Sequence, residues 1–441
     1  MQSPTPCVLE EAVQRLYVRY RAGCRCAIDS RADVEGALFF ALQGENFNGN
    51  AFAKEALEKG AVCAVVDQES YWKPDGRYLL VSDVLSVLQD LARWHRAQLQ
   101  VPVVAITGSS GKTTTKELTK AVLQTRYTVH ATSGNLNNCI GVPLTILATP
   151  PNTDVIVLEM GASAVGEIEH LCRIAQPTHG LVTNVAKVHL AGFGSLEGIV
   201  AGKAELYRYL FDTQGVAFVN TDQKLLMRAV PNFEKLRSYP NPQDYYPCAL
   251  IDAEPTLTCR VGGGDTLHTT LVGAYNFYNI AAALCIGKHF AVPPHKAHAA
   301  VEAFQPPQNR SQVIQVGTNT VLLDAYNANL VSMQGAIEAL ISMKAKHYVL
   351  MLGDMNELGD ETEAAHSALG RFTRGLSSCT TLLCGMHMKF AADANPSAHY
   401  FPHKAALTQY LTQHRHTHAA VLIKGSRALR METLLDVLRF E

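Results

Sequence analysis

The chain has 441 residues, of which 47% are hydrophobic and 17% charged, enough apolar material for about two to four α/β domains. With 38 Lys+Arg against 39 Asp+Glu the net charge is −1, which excludes a protein that holds nucleic acid on a basic face. No apolar run approaches the roughly 20 residues of a membrane-spanning helix, the opening MQSPTP lacks the parts of a signal peptide, and 11 scattered cysteines, an odd number, predict free thiols in a cytoplasmic protein.

A first unit, residues 1–95, carries strand patterns at 37–42 and 61–66 around a helix pattern at 53–59. Between them lies a Gly/Asn-rich loop, GENFNGN, at residues 44–50. Cys24 and Cys26 have no second pair at zinc spacing and are read as structural. A second unit, residues 96–306, alternates strands at 103–106, 155–158, 180–183 and 216–220 with helical stretches, the signature of a doubly wound parallel sheet. GGG at 262–264 marks a hairpin turn. QPPQ at 305–308 reads as a linker to a third unit, residues 307–441. Strands there at 320–323, 348–352, 381–384 and 420–423, with helices between, predict a Rossmann-like sheet. HRHTH at 414–418 has no carboxylate or thiol partner nearby and is read as a solvated loop.

The run VPVVAITGSSGKTTT at 101–115 is a buried strand, a glycine loop and a helix start. Backbone N–H groups of Gly108, Ser109, Ser110 and Gly111 can approach an anion, which the helix dipole also favours. Lys112 would reach the outer phosphates, and Thr113 and Thr114 open the helix behind it. The spacing T-G-x-x-G-K-T is tighter than the common G-x-x-x-x-G-K-[ST] loop. These residues predict ATP binding. Glu159 ends the strand at 155–158, where a carboxylate can share Mg²⁺ with Thr113. Taken alone, His189 is an ordinary histidine and Lys203 an exposed helix lysine.

A longer set of motifs resembles the Mur ligase family. It comprises TGSSGKTTTKE at 107–117, GNLNN at 134–138, EMG at 159–161, AGKAE at 201–205, DAYNAN at 324–329, LGDM at 352–355 and KGSR at 424–427. Their order is kept along nearly the whole chain. The resemblance implies an α/β fold in three domains: a small N-terminal substrate domain, a central P-loop ATPase-type parallel sheet and a C-terminal Rossmann-like domain. It implies an ATP-dependent, ADP-forming peptide ligase that joins D-alanyl-D-alanine to a UDP-muramoyl tripeptide through an acyl phosphate, without a protein nucleophile. Two Mg²⁺ ions are implied, one on Thr113 and Glu159, the other on His189 and a carbamylated Lys203. A carbamate supplies the anionic oxygen that Mg²⁺ prefers, where an ammonium would repel it. Lys112, Glu159, His189 and Lys203 are thereby the catalytic candidates. Asn276 and Asn279 match adenine-side positions, and Arg310 and Asp324 match ATP contacts of the linker and third domain. Ser30, Arg31, Asn46, Asn135, Asn138, Asn327 and Asn329 are the substrate-side candidates. A monomer without nucleic-acid partners is expected.

The chain departs from the family pattern at Asn48 and Asn50, where the uridine-site loop usually carries Asp and His, and both amides are expected to hydrogen-bond the nucleotide. Tyr275, Ala191 and Leu330 depart as well, where His, Glu and Pro are usual. These changes leave open a ligase of the same core acting on another carboxylate and amine. A nucleotide-binding protein that had lost catalysis would lack one of the four catalytic candidates, and all four are present.

Overall fold

The computed structural model describes residues 6–187, 190–307, 309–376 and 378–439. Contacts divide the chain into two compact units, one within residues 1–105, 127–162 and 166–179, the other within 106–126, 163–165 and 180–441.

The first unit holds a four-stranded parallel sheet in the order Cys26–Ala27, Leu38–Phe40, Cys63–Val66, Tyr78–Leu80. Alternate residues, Phe39, Ala64 and Val66, pack on one face against Ala53, Ala56 and Leu57 of the helix Ala53–Glu58. The helix Val84–Gln98 begins at Asp83, whose carboxylate accepts from the Ser86 N–H at 2.8 Å. It buries Val84, Val87, Leu88 and Leu91 along one stripe, the spacing of an amphipathic helix. Val129–Ala131 and Val155–Glu159 form a parallel pair in the same unit.

In the second unit Val216–Asn220 and Leu236–Tyr239 form a parallel pair. Every residue of Val103–Thr107 is buried, as a parallel strand covered on both faces requires. In the second unit the helices Lys112–Gln124 and Asn276–His289 pack closely. A Cβ on Gly287 would come within 2.6 Å of Val122 Cγ1. A three-stranded antiparallel sheet, Ala249–Asp252, Thr258–Arg260 and Thr266–His268, carries the expected turn, with Gly263 and Gly264 at φ of 95° and 96°. The third strand, Ala249–Asp252, is an addition to the sequence reading.

The last part of the second unit is a six-stranded sheet in the order Gln312–Val316, Asn319–Asp324, Ala420–Lys424, Tyr348–Gly353, Cys379–Cys384, His399–Phe401. Only its first pair is antiparallel. Leu322, Leu350 and Leu422 point into one core and Val321, Met351 and Val421 into another, so helices cover both faces. All 11 cysteines are free thiols. No described helix is long and apolar enough to cross a membrane. The segment at 414–418 is largely exposed, but the His414 ring stacks 4.1 Å from Tyr410 and His416 lies half-buried against His347.

Candidate active site

In the second unit the phosphate loop leaves the strand Val103–Thr107 and enters the helix at Lys112. Gly108 has φ 139°, and a Cβ there would sit 2.0 Å from Thr183 Oγ1. Gly111 has φ 78°, with Asn279 Oδ1 at 2.6 Å from the same imagined atom. Both positions require glycine twice over, for backbone conformation and for space. The loop is braced from the exit of the strand His179–Val182. Ser109 N donates to Asn184 O at 3.0 Å, Ser110 N to Asn184 Oδ1 at 3.0 Å, and Thr183 Oγ1 to Ser110 O at 2.7 Å. Lys112 is half-buried and its Nζ donates to Gly108 O at 2.8 Å, curling the cation over the loop. Thr113 is buried and Thr114 half-buried. A glycine-rich nest with a lysine at a helix start is the arrangement that takes a phosphate chain.

Asn276 and Asn279 are both buried, and they stand behind this loop. Thr115 Oγ1 donates to Asn279 Oδ1 at 2.9 Å, Asn279 Nδ2 to Asn276 Oδ1 at 2.8 Å, and Asn276 Nδ2 to Val272 O at 2.9 Å. The structure therefore places the two amides as supports of the loop and of the helix it opens. Thr183 and Asn184 were not singled out as site residues. Their signal was their position at the end of a buried strand, the edge where open α/β sheets bind ligands. Lys203 lies on the helix Leu196–Asp212, only 1% exposed, with Nζ 4.9 Å from the centre of the Phe193 ring. The expectation of an exposed lysine, made from the helix alone, is overturned by this burial. His189 lies outside the described residues.

At the third sheet, Asp324 and Lys424 end adjacent parallel strands in register. Asp324 Oδ2 and Lys424 Nζ form an ion pair, with side chains 15% and 2% exposed. Asp324 Oδ1 also accepts from Ser311 N at 3.0 Å, and Lys424 donates to Asn327 O at 3.0 Å. Arg310 lies between Asn309 and Ser311, both at positive φ, and stacks its guanidinium 3.8 Å from the Tyr326 ring centre. Tyr275 OH meets Ser311 Oγ at 2.9 Å. Lys424 lies in the KGSR motif, and a lysine ending an otherwise apolar strand is the signal of its role. Lys424→Ala leaves the Asp324 carboxylate largely buried without its cation. It should cost about 3–5 kcal/mol in urea unfolding, and the Lys424→Ala/Asp324→Ala double variant should recover part of that loss. A parent-like midpoint for the single variant would show that the pair contributes nothing.

Asn327 is exposed and its Oδ1 accepts from Ala328 N at 2.8 Å. Asn329 is the cap of the helix Leu330–Ile341, in a reciprocal capping box with Ser332. Its amide oxygen takes the Ser332 N–H at 2.9 Å, so the structure assigns it to the helix start.

Within the first unit Glu159 is 2% exposed at its strand end. Asn137 Nδ2 donates to Glu159 Oε1 at 2.8 Å, and Glu159 N to Thr132 Oγ1 at 2.9 Å. Asn138 Oδ1 instead accepts from Ile140 N and Gly141 N at 3.1 and 2.9 Å, ahead of the helix Gly141–Leu147. Asn135 is exposed. Among the described residues no cluster of three or more His, Cys, Asp or Glu could hold a metal by itself.

Ser30 is buried, and its carbonyl accepts from Lys59 Nζ at 3.0 Å. Arg31 is exposed and clasps Asp29 through Nε and Nη2 at 2.9 and 2.8 Å, which holds the Asp29 carboxyl down to about 2. Asn46 is exposed at the tip of a hairpin formed by Gln43–Gly44 and Phe47–Asn48. Asn48 and Asn50, expected to reach for a nucleotide, turn inward. Asn50 is 1% exposed and donates to Asn48 Oδ1 and Asp67 Oδ1 at 3.0 and 2.8 Å.

Family models match along the chain. They are the Mur ligase family catalytic domain at residues 25–107, the Mur ligase middle domain at 106–287 and the Mur ligase glutamate ligase domain at 309–427. The UDP-N-acetylmuramoyl-tripeptide–D-alanyl-D-alanine ligase of Bacillus subtilis (strain 168) is 33% identical over 419 residues, 93% of this chain and 92% of that one. The ligase of the same name from Escherichia coli (strain K12) is 34% identical over 423 residues, with the same coverage. Among solved structures, MurF from Acinetobacter baumannii superposes with a TM-score of 0.86 at 28% identity over 100% of both chains. MurF from Thermotoga maritima in complex with ADP gives 0.82 at 27% identity, over 94% of this chain and 97% of that one. With a phosphate loop built as its motifs imply and matches running through all three domains, this chain belongs to the Mur ligase family.

Proposed function

We propose that this chain is an ATP-dependent ligase that joins D-alanyl-D-alanine to a UDP-N-acetylmuramoyl tripeptide in peptidoglycan precursor synthesis. The observation that carries this reading is the end-to-end likeness to ligases of that name, the N-terminal substrate domain included. ATP phosphorylates the tripeptide carboxylate, giving an acyl phosphate and ADP; the dipeptide amine then attacks the acyl carbon, the amide bond forms and phosphate leaves. Lys112 and the N–H groups at 108–113 hold the phosphates and offset charge as it moves. Thr113 and Glu159 are the proposed ligands of one Mg²⁺, and His189 and a carbamylated Lys203 those of the second. Asn137 orients the Glu159 carboxylate. Asn276 and Asn279 keep the phosphate loop in shape, and Arg310 and Asp324 complete the nucleotide site from the third domain. Domain boundaries near residues 95 and 306, a monomeric state and a cytoplasmic location belong to the same proposal.

The rival reading, a ligase for another carboxylate and amine, drew on Asn48 and Asn50. Because both amides are engaged by each other and by Asp67 and Gln68, their identity does not argue for another donor. The test is phosphate release with UDP-N-acetylmuramoyl tripeptide, D-alanyl-D-alanine and ATP, and with each left out in turn. Release and a UDP-linked pentapeptide are expected only from the complete mixture. A chain that binds ATP yet makes no pentapeptide with any muramoyl tripeptide would overturn the reading.

A further inference from the structure

The hairpin at residues 43–48 has two residues per strand, too few to hold itself in water. Five side chains close a ring beneath it. Asp67 follows the strand Cys63–Val66, and its Oδ1 accepts from Gln43 Nε2 at 2.7 Å and from Asn50 Nδ2 at 2.8 Å. Gln43 Oε1 accepts from Gln68 Nε2 at 3.2 Å, and Gln68 Oε1 from Asn48 Nδ2 at 2.9 Å. Asn48 Oδ1 accepts from Asn50 Nδ2 at 3.0 Å, which closes the ring. Asp67 is also tied at its other atoms. Its N–H donates to Asn50 Oδ1 at 3.0 Å, and its Oδ2 accepts from Val84 N at 3.3 Å, at the start of the helix Val84–Gln98.

Four of the five members are amides, each of which can turn over and exchange donor for acceptor. An ionised carboxylate only accepts. Both donor paths, one through Gln43 and one through Asn50, run into Asp67, so this single group sets the direction of every bond in the ring. At the far end the hairpin leaves Asn46 exposed and Phe47 59% exposed. Gly49 anchors the return of the chain, since a Cβ there would lie 2.2 Å from Leu42 O.

We propose that Asp67 is a positioning residue for donor recognition: through the amide ring it holds the 43–48 hairpin so that Asn46 and Phe47 meet the nucleotide part of the donor. This rests on the function proposed above. An amide in place of Asp67 must turn its NH₂ toward either Val84 N or the Gln43 and Asn50 donors, and a donor then faces a donor.

The full-length Asp67→Asn variant tests this, with Asn50→Ala as the second route into the ring should Asp67→Asn not fold. Losing one bond to a charged group predicts a rise of about tenfold in KM for the UDP-muramoyl tripeptide, with kcat and the KM for ATP within about twofold of the parent. Amide hydrogen exchange over residues 43–50 should quicken, and Asn46→Ala should raise the donor KM without quickening exchange. An unchanged donor KM, an equal loss in kcat, or parent-like exchange in the ring variants would each overturn the proposal. A parent that makes no pentapeptide at all would instead overturn the donor assignment. Exchange in Asp67→Asn would then decide separately whether Asp67 holds the hairpin.

Discussion

Lys112→Ala should lower ATP-dependent ligation by about a thousandfold, the scale of removing a fixed charge from a phosphoryl-transfer site, and leave the protein folded. Lys112 is the first residue of its helix, where a cation opposes the positive end of the helix dipole. Its Nζ bonds to the Gly108 carbonyl, outside the apolar cores. Removing it therefore costs the fold little, and the residue's unfavourable position points to use rather than stability. Thermal unfolding should be unchanged while nucleotide binding and phosphate release are lost. Near-normal turnover would remove the phosphate-loop assignment.

Lys203→Ala should lose most activity, and short carboxylates such as formate or acetate should restore part of it. Lys203 is nearly enclosed on its helix, beside Phe193. If its amine carries CO₂, the truncated variant leaves a space where a small carboxylate can offer the same oxygens to Mg²⁺. A mere packing role predicts a lower unfolding temperature with no rescue. A variant that turns over like the parent at every bicarbonate concentration would refute the carbamate.

Much of the fold was legible because burial period is a local property. The strand patterns at 103–106, 216–220, 348–352 and 420–423 all recur within a residue or two of the observed strands, since runs of β-branched and aliphatic residues have few other ways to be buried. The phosphate loop was legible for the same reason: strand, glycines, lysine and helix are contiguous. The Asn329 cap is equally local, an Asn three residues before a Ser at a helix start, a pattern that marks a capping box where the resemblance implies a substrate contact.

The partners of those local elements were decided by tertiary structure. Thr115 meets Asn279 across 164 residues and Ser110 meets Asn184 across 74, so no window along the chain reveals that these amides shape the phosphate loop. Lys203 has the spacing of an exposed helix residue and is buried because other elements cover it. Asn48 and Asn50 are expected from sequence to bond a nucleotide, and Gln43, Asp67 and Gln68 carry no signal there, yet all five form one ring because two turns of the chain meet. By itself the sequence determined which segments are strands and helices and which loop can cradle phosphate, because side-chain periodicity and glycine's conformational range act within a few residues. Which polar groups satisfy one another was decided only in the folded chain, because a buried hydrogen bond depends on distance in space and not along the chain.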